Sequence, residues 1–126
     1  MISADAGIWL AFFRNEAAAV DLRALLDENR VTVHPLVLLD LRLRLRAPQR
    51  SQILSDLEHL VATEIDPPDV VSAFVEERGL AKLQVDVVGA HLLASAMRHG
   101  DRLWASDRDL RSAAIELGVA YPPNGR

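Results

Sequence analysis

The chain has 126 residues, half of them apolar and a quarter charged, and no Cys, which describes one ordinary globular domain over residues 1–126 and excludes disulfides, thiolate metal sites and thiol nucleophiles. No apolar run reaches the ~18 residues of a membrane helix, and the opening has no basic start and is interrupted by Asp5, so no export signal is read and the cytoplasm is the expected compartment. The formal charge is −4, from 18 acids and 14 bases, which argues against general affinity for nucleic acid and leaves room for a local basic patch.

In chain order, residues 1–4 open as a short strand. Residues 7–13 carry Ile8, Trp9, Leu10, Phe12 and Phe13 and read as a short buried helix. Residues 16–28 read as a second helix, with Val20, Leu22, Leu25 and Leu26 as its apolar positions. Residues 30–33 are a β-branched run and hence a strand. His34-Pro35 breaks it, and Pro35 opens a helix that runs to about Arg46 and is stopped by Pro48. Residues 49–62 form the clearest amphipathic helix, with Ile53, Leu54, Leu57, Leu60 and Val61 at spacings of three, four and seven. A short strand is expected at 63–65. Asp66-Pro67-Pro68 then starts a helix, with Asp66 as its cap, an inner face of Val70, Val71, Phe74 and Val75, and Gly79 at its end. Residues 85–99 are a further helix closed by Gly100, and residues 102–105 a buried strand. Ser106-Asp107 caps a helix with Leu110, Ala113, Ala114 and Leu117 inside and Gly118 at its end. Residues 119–121 read as a last strand, and the Pro-rich tail 122–126 ends the fold. Strands alternating with helices define an α/β class with a central, mostly parallel sheet. In such sheets ligands sit beyond the carboxyl ends of the strands, so functional residues belong just after a strand.

Acids occupy those positions. Asp5 follows the first strand, Asp107 follows Leu103-Trp104-Ala105, and Asp86 opens the helix leading toward that strand. Each also precedes a helix, where Asp is a favoured cap, and capping and metal binding do not exclude one another. Asp40 is different. It sits in Leu36-Val37-Leu38-Leu39-Asp40-Leu41, so this turn is expected to be buried, and a buried carboxylate needs a partner. That partner is either Arg44 one turn on or a metal. Converging carboxylates suit Mg²⁺ or Mn²⁺, hard ions that take oxygen ligands and promote phosphodiester hydrolysis.

Asp5 before an apolar helix, the acid inside "HPLVLLDL", the block "VDVVGAHLLASAMRHGDRLWASDRDL" and the total length resemble a PIN-domain ribonuclease of the VapC type, the toxin of bacterial toxin–antitoxin pairs. The resemblance covers almost the whole chain and is most specific over residues 86–110. It implies a three-layer α/β fold with helices flanking a short sheet, and Mg²⁺- or Mn²⁺-dependent endonuclease action on RNA. It assigns the acidic positions to Asp5, Asp40, Asp86 and Asp107, with Asp5, Asp86 and Asp107 as metal ligands and Asp109 as a structural or outer acid. It also implies a cognate antitoxin that lays a segment over the toxin near the first helices, and a homodimer. Two positions depart from the family pattern: Asp40 stands where Glu is usual, and Ala6 where a small polar residue follows the first acid. Ser106 matches the usual hydroxyl. The departures motivate an alternative, a PIN-like module that binds antitoxin or RNA without efficient cleavage.

Arg42, Arg44, Arg46 and Arg50 form the one dense basic run. They read either as phosphate contacts or as a solvated helix face. Arg42 and Arg46 share a helix face while Arg44 points elsewhere, so Arg42 and Arg46 are the substrate-binding candidates together with Ser106. His34, His59, His91 and His99 show no paired metal-ligand spacing, and read as packed or half-exposed residues. Trp9, Phe12, Phe13 and Phe74 read as core, some of them available to an apolar groove for a partner helix. A phospho-receiver domain, also α/β and of this length, would need paired acids after the first strand and a late Lys. The only Lys is Lys82, ahead of Asp86.

Overall fold

The computed structural model describes residues 1–46 and 48–122, except for the side chain of Val61. The expected tail beyond Pro122 lies outside the described residues. Four short runs pair into one sheet: β1 (Ile2–Ala4), β2 (Val31–Val33), β3 (Val61–Ala62) and β4 (Arg102–Trp104). Their order is β3-β2-β1-β4, and every pairing is parallel. Ile2 stands opposite Val31 on one side and Arg102 on the other, and Ala4 opposite Trp104. Parallel neighbours need crossovers, and helices supply them. These are α1 (Ala6–Phe13), α2 (Leu22–Asp27), α3 (Pro35–Arg44), α4 (Arg50–Glu58), α5 (Pro68–Arg78), α6 (Val87–His99) and α7 (Arg108–Glu116). The chain builds outward from β1 to β2 and β3, then returns to lay β4 on the other side of β1. The strand order therefore reverses between β1 and β4, and a crevice opens beyond their carboxyl ends.

The core follows from composition. β1 and β2 are buried along their whole length, as strands covered on both faces must be. α1 is apolar nearly all round, and Ile8, Trp9, Leu10 and Ala11 are all buried. α6 packs through small residues, with Gly89, Ala90, Ala94, Ser95 and Ala96 all buried. Gly100 ends α6 in the left-handed conformation, φ 70°, which costs glycine no Cβ clash.

The structure corrects several expected elements. Residues 16–28 are not one helix. A 3₁₀ turn, Ala17–Ala19, precedes α2, and Val20 between them is exposed. The apolar positions of this stretch do not share one face, and Glu16 closes the end of α1 through its N–H to Ala11 O at 2.9 Å. The amphipathic run stops at Glu58, and its strand falls at Val61–Ala62, ahead of the expected 63–65. Edge pairing overrides helical periodicity there: β3 pairs with β2, and the Thr63 N–H reaches Val33 O at 3.1 Å. Asp66 does not cap α5. Pro67 holds the cap position without a side-chain bond, and Asp66 is buried on Arg98 of α6 at 3.0 Å. Residues 119–121 make one parallel bridge, Leu103 to Ala120, beside β4. The turn around Asp40 is only partly buried. Val37 and Leu41 face the core while Leu39 and Leu43 are exposed, because a single helix cannot aim a continuous apolar run at one side.

Candidate active site

Asp5 lies one residue beyond β1, whose ladder continues through the Asp5 N–H to Trp104 O at 3.0 Å. The residue is 7% exposed, and its carboxylate is fully engaged. Oδ1 accepts the Ile8 N–H at 2.9 Å, which caps α1. Oδ2 accepts the Ser106 N–H at 2.7 Å, and the Ser106 hydroxyl lies 3.0 Å from both oxygens. The residues after β1 and after β4 are thus joined across the crevice. Gly7 makes this joint possible: a Cβ there would stand 1.9 Å from Ser106 Oγ.

The other acids arrive on helix starts. Asp86 caps α6 by accepting the Gly89 N–H at 2.7 Å, and Asp107 caps α7 by accepting the Leu110 N–H at 2.9 Å. Each cap uses one oxygen, Oδ1 of Asp86 and Oδ2 of Asp107. The second oxygen of each accepts no hydrogen bond among the described residues. Asp40 comes from the second turn of α3 and faces Arg44, one turn on, at 3.6 Å.

Asp5, Asp40, Asp86, Asp107 and Asp109 line one cavity of about 430 Å³, together with Arg44, Ser106, Gly7 and Gln84. Five carboxylates face one guanidinium. Oxygen donors in this number suit a hard divalent cation rather than a soft one. Among the described residues, no three acidic or histidine side chains yet stand close enough to share one ion. The reason is local: Asp5 is turned to protein donors, Asp40 to Arg44, and one oxygen each of Asp86 and Asp107 to a helix cap.

Residues 2–116 match the PIN domain family. The chain belongs to the PIN-domain family. Within it the relatives are of the VapC type: Ribonuclease VapC32 of Mycobacterium tuberculosis, in two strains, is 36% identical over 121 residues, 95% of this chain and 95% of that protein. The crystal structure of PAE2754 from Pyrobaculum aerophilum superimposes with a TM-score of 0.61 at 21% identity, covering 88% of this chain and 82% of that one. The PIN fold read from the sequence is therefore the fold present.

Of the residues singled out from sequence, this PIN chain brings Asp5, Asp40, Asp86, Asp107 and Ser106 to one cavity, along with Asp109. Arg42 and Arg46 are not among its lining residues. Arg42 is paired with Glu58 of α4, and its carbonyl accepts Arg50 Nη2 at 2.7 Å. Arg44 lines the cavity instead, because two residues along a helix turn the side chain by ~200°. Sequence reasoning also missed Gln84 on the cavity wall, a non-glycine residue held at φ 57°. No residue-type signal marks it, since Gln is not a favoured left-handed residue.

A second cavity, of about 290 Å³, is mostly apolar and lies between α1, α2 and α4, walled by Phe12, Phe13, Leu26, Ile53, Leu57 and Leu60 with Arg23 and Asp56 beside them. Trp9 is core, 1% exposed, and stacks on Phe13 with ring centroids 5.9 Å apart. Three of the four histidines form a separate group: His34 lies 6.1 Å from His91 between ring centroids, and His99 lies 3.8 Å from Asp66, whereas His59 ends α4 with Nδ1 2.7 Å from Ser55 O.

Proposed function

We propose that this protein is an endoribonuclease that depends on Mg²⁺ or Mn²⁺ and serves as the toxin of a toxin–antitoxin pair. The observation that carries the reading is the meeting of Asp5, Asp40, Asp86 and Asp107 at one cavity, at the strand-order reversal of a PIN fold whose relatives are VapC-type ribonucleases. The donor set fits the ion by its chemistry: carboxylates from four elements surround the cavity, and two of them keep a free oxygen. Asp5, Asp86 and Asp107 would hold the metal, which supplies Lewis acidity toward a phosphodiester.

The chain's own residues perform the remaining tasks. Ser106 fixes the Asp5 carboxylate through its N–H and hydroxyl. Asp40, half-buried beside Arg44, completes the acidic ring. Ser106, Arg42 and Arg46 are the proposed contacts to RNA, although neither arginine is among the residues lining the cavity. An antitoxin segment with apolar residues would lie in the groove of Phe12, Phe13, Leu26 and Ile53 and extend an Arg toward the acids, since a guanidinium pairs with carboxylates in bidentate fashion. Exposed Leu39, Leu43 and Val87 offer apolar surface for a second copy of the chain. Among the described residues, no helix is long and apolar enough to cross a membrane, and a cytoplasmic site of action fits this reading.

A second reading has its own support. The Asp40–Arg44 pair, and Asp40 being one methylene shorter than Glu, suit a module that binds antitoxin or RNA and cuts slowly. One experiment separates the two. Purified protein is titrated with Mn²⁺ by calorimetry and assayed on single-stranded RNA, alongside Asp86→Asn. The nuclease reading expects Mn²⁺ binding and cleavage in the wild type, with both weakened together in the variant. Cleavage left intact in Asp86→Asn would remove Asp86 from the site, and Mn²⁺ binding without cleavage would favour the second reading.

A further inference from the structure

Among the described residues, Arg44 is the only cation lining the acidic cavity. Two of its neighbours in the basic run are directed elsewhere: Arg42 to Glu58, Arg50 to the Arg42 carbonyl. Arg44 faces Asp40 at 3.6 Å, beyond a good hydrogen bond, and both side chains are partly exposed, 50% and 33%. An exposed pair one helical turn apart contributes little to stability, so its partners exchange readily. A divalent ion among the carboxylates would compete with the guanidinium for Asp40. A phosphate entering the same cavity would attract the guanidinium and repel the acids.

We propose that Arg44 is an exchangeable counter-ion of the site: it neutralises Asp40 in the free protein and transfers to a backbone phosphate of RNA when the cavity is loaded. This inference rests on the nuclease reading above and adds a residue to it. Arg44 then has opposite effects on the two ligands. It opposes the cation, because both seek Asp40, and it favours RNA, because it supplies positive charge amid five carboxylates. Removing it should tighten metal and loosen RNA, whereas a residue that merely held the fold would weaken both.

The test uses Arg44→Gln, with Arg78→Gln as a control that removes one charge from the exposed end of α5. Mn²⁺ affinity is measured by calorimetry without RNA, and affinity for a single-stranded oligoribonucleotide is measured in chelator over a range of salt. The expected result for Arg44→Gln is Mn²⁺ binding about threefold tighter or more. RNA binding should be weaker, with a salt slope reduced by about 0.7, the value of one phosphate contact on a single strand. Arg78→Gln should leave both near wild type. Unchanged or weaker Mn²⁺ binding in Arg44→Gln, or an equal gain in the control, overturns the inference while wild-type cleavage keeps the nuclease reading. Failure of the wild type to bind Mn²⁺ and cleave RNA overturns both. Circular dichroism of both variants checks that the fold is kept.

Discussion

His34 follows β2 and caps α3, the helix that carries Asp40. Its Nδ1 accepts the Leu36 N–H at 3.0 Å, and the residue is 1% exposed. An Nδ1 that accepts cannot carry a proton, so the native imidazole is neutral with its proton on Nε2, which has no partner among the described residues. Burial lowers its pKa from the ordinary 6.5 to about 4. Repulsion by His91 and, more weakly, His99 acts in the same direction, and attraction by Asp66 opposes it. Between these two values the unfolded chain takes up the proton and the folded chain does not. Stability from this group is therefore complete above pH 6.5 and is lost as pH falls toward 4. The linkage integral gives a loss of about 2 kcal/mol at pH 5 and about 3 kcal/mol at pH 4 relative to a non-titrating residue. The comparison is His34→Asn, whose amide oxygen can accept the same N–H and whose packing loss is independent of pH. Urea unfolding at pH 7, 6, 5 and 4 should show the wild-type advantage over the variant shrinking by those amounts, since carboxylate titration is common to both and cancels. A constant difference between pH 7 and pH 4 would refute the buried neutral imidazole and the cap built on it.

Two further outcomes follow from the cavity. Gly7→Ala places a methyl 1.9 Å from Ser106 Oγ; the hydroxyl must leave Asp5, which should cost about 1–3 kcal/mol in a thermal melt and weaken Mn²⁺ binding, and an unperturbed melt would mean that the Gly7–Ser106 approach is not tight. Asp40→Glu extends the carboxylate by ~1.5 Å and should raise Mn²⁺ affinity and cleavage at low metal concentration; unchanged values would take Asp40 out of the site, and a loss with the fold intact would mean that the backbone has already adapted to the shorter acid.

The fold was legible where one signal acted alone. Asp5, Asp86 and Asp107 stand at helix starts with apolar runs behind them, and each is a cap in the structure. Legibility failed where two elements compete for the same residues. Leu57, Leu60 and Val61 continue a helical period, yet the free edge of β2 takes Val61 and Ala62 as β3. Asp66 before two prolines has every mark of a cap, yet Arg98, 32 residues on, takes its carboxylate; no local pattern records such a partner. Arg42 and Arg44 are alike as residues of a basic run. Which of them enters the cavity depends on the rotation of α3 about its axis, which is set by the burial of Val37 and Leu41.

The cap bonds also explain how five carboxylates can crowd one cavity. Asp5, Asp86 and Asp107 each hold the N–H of the residue three positions on, so the N-termini of α1, α6 and α7 all meet the cavity. Each helix start carries about half a positive charge. Those three ends and the Arg44 guanidinium oppose the five negative charges lining the cavity. The same geometry makes substitution at these positions informative. Asn caps a helix about as well as Asp, so Asp86→Asn keeps the hydrogen bond to Gly89 while removing the charge. A fall in Mn²⁺ affinity in that variant therefore reports on the charge presented to the cavity rather than on a frayed helix. Asp86→Ala would remove both at once and could not separate them.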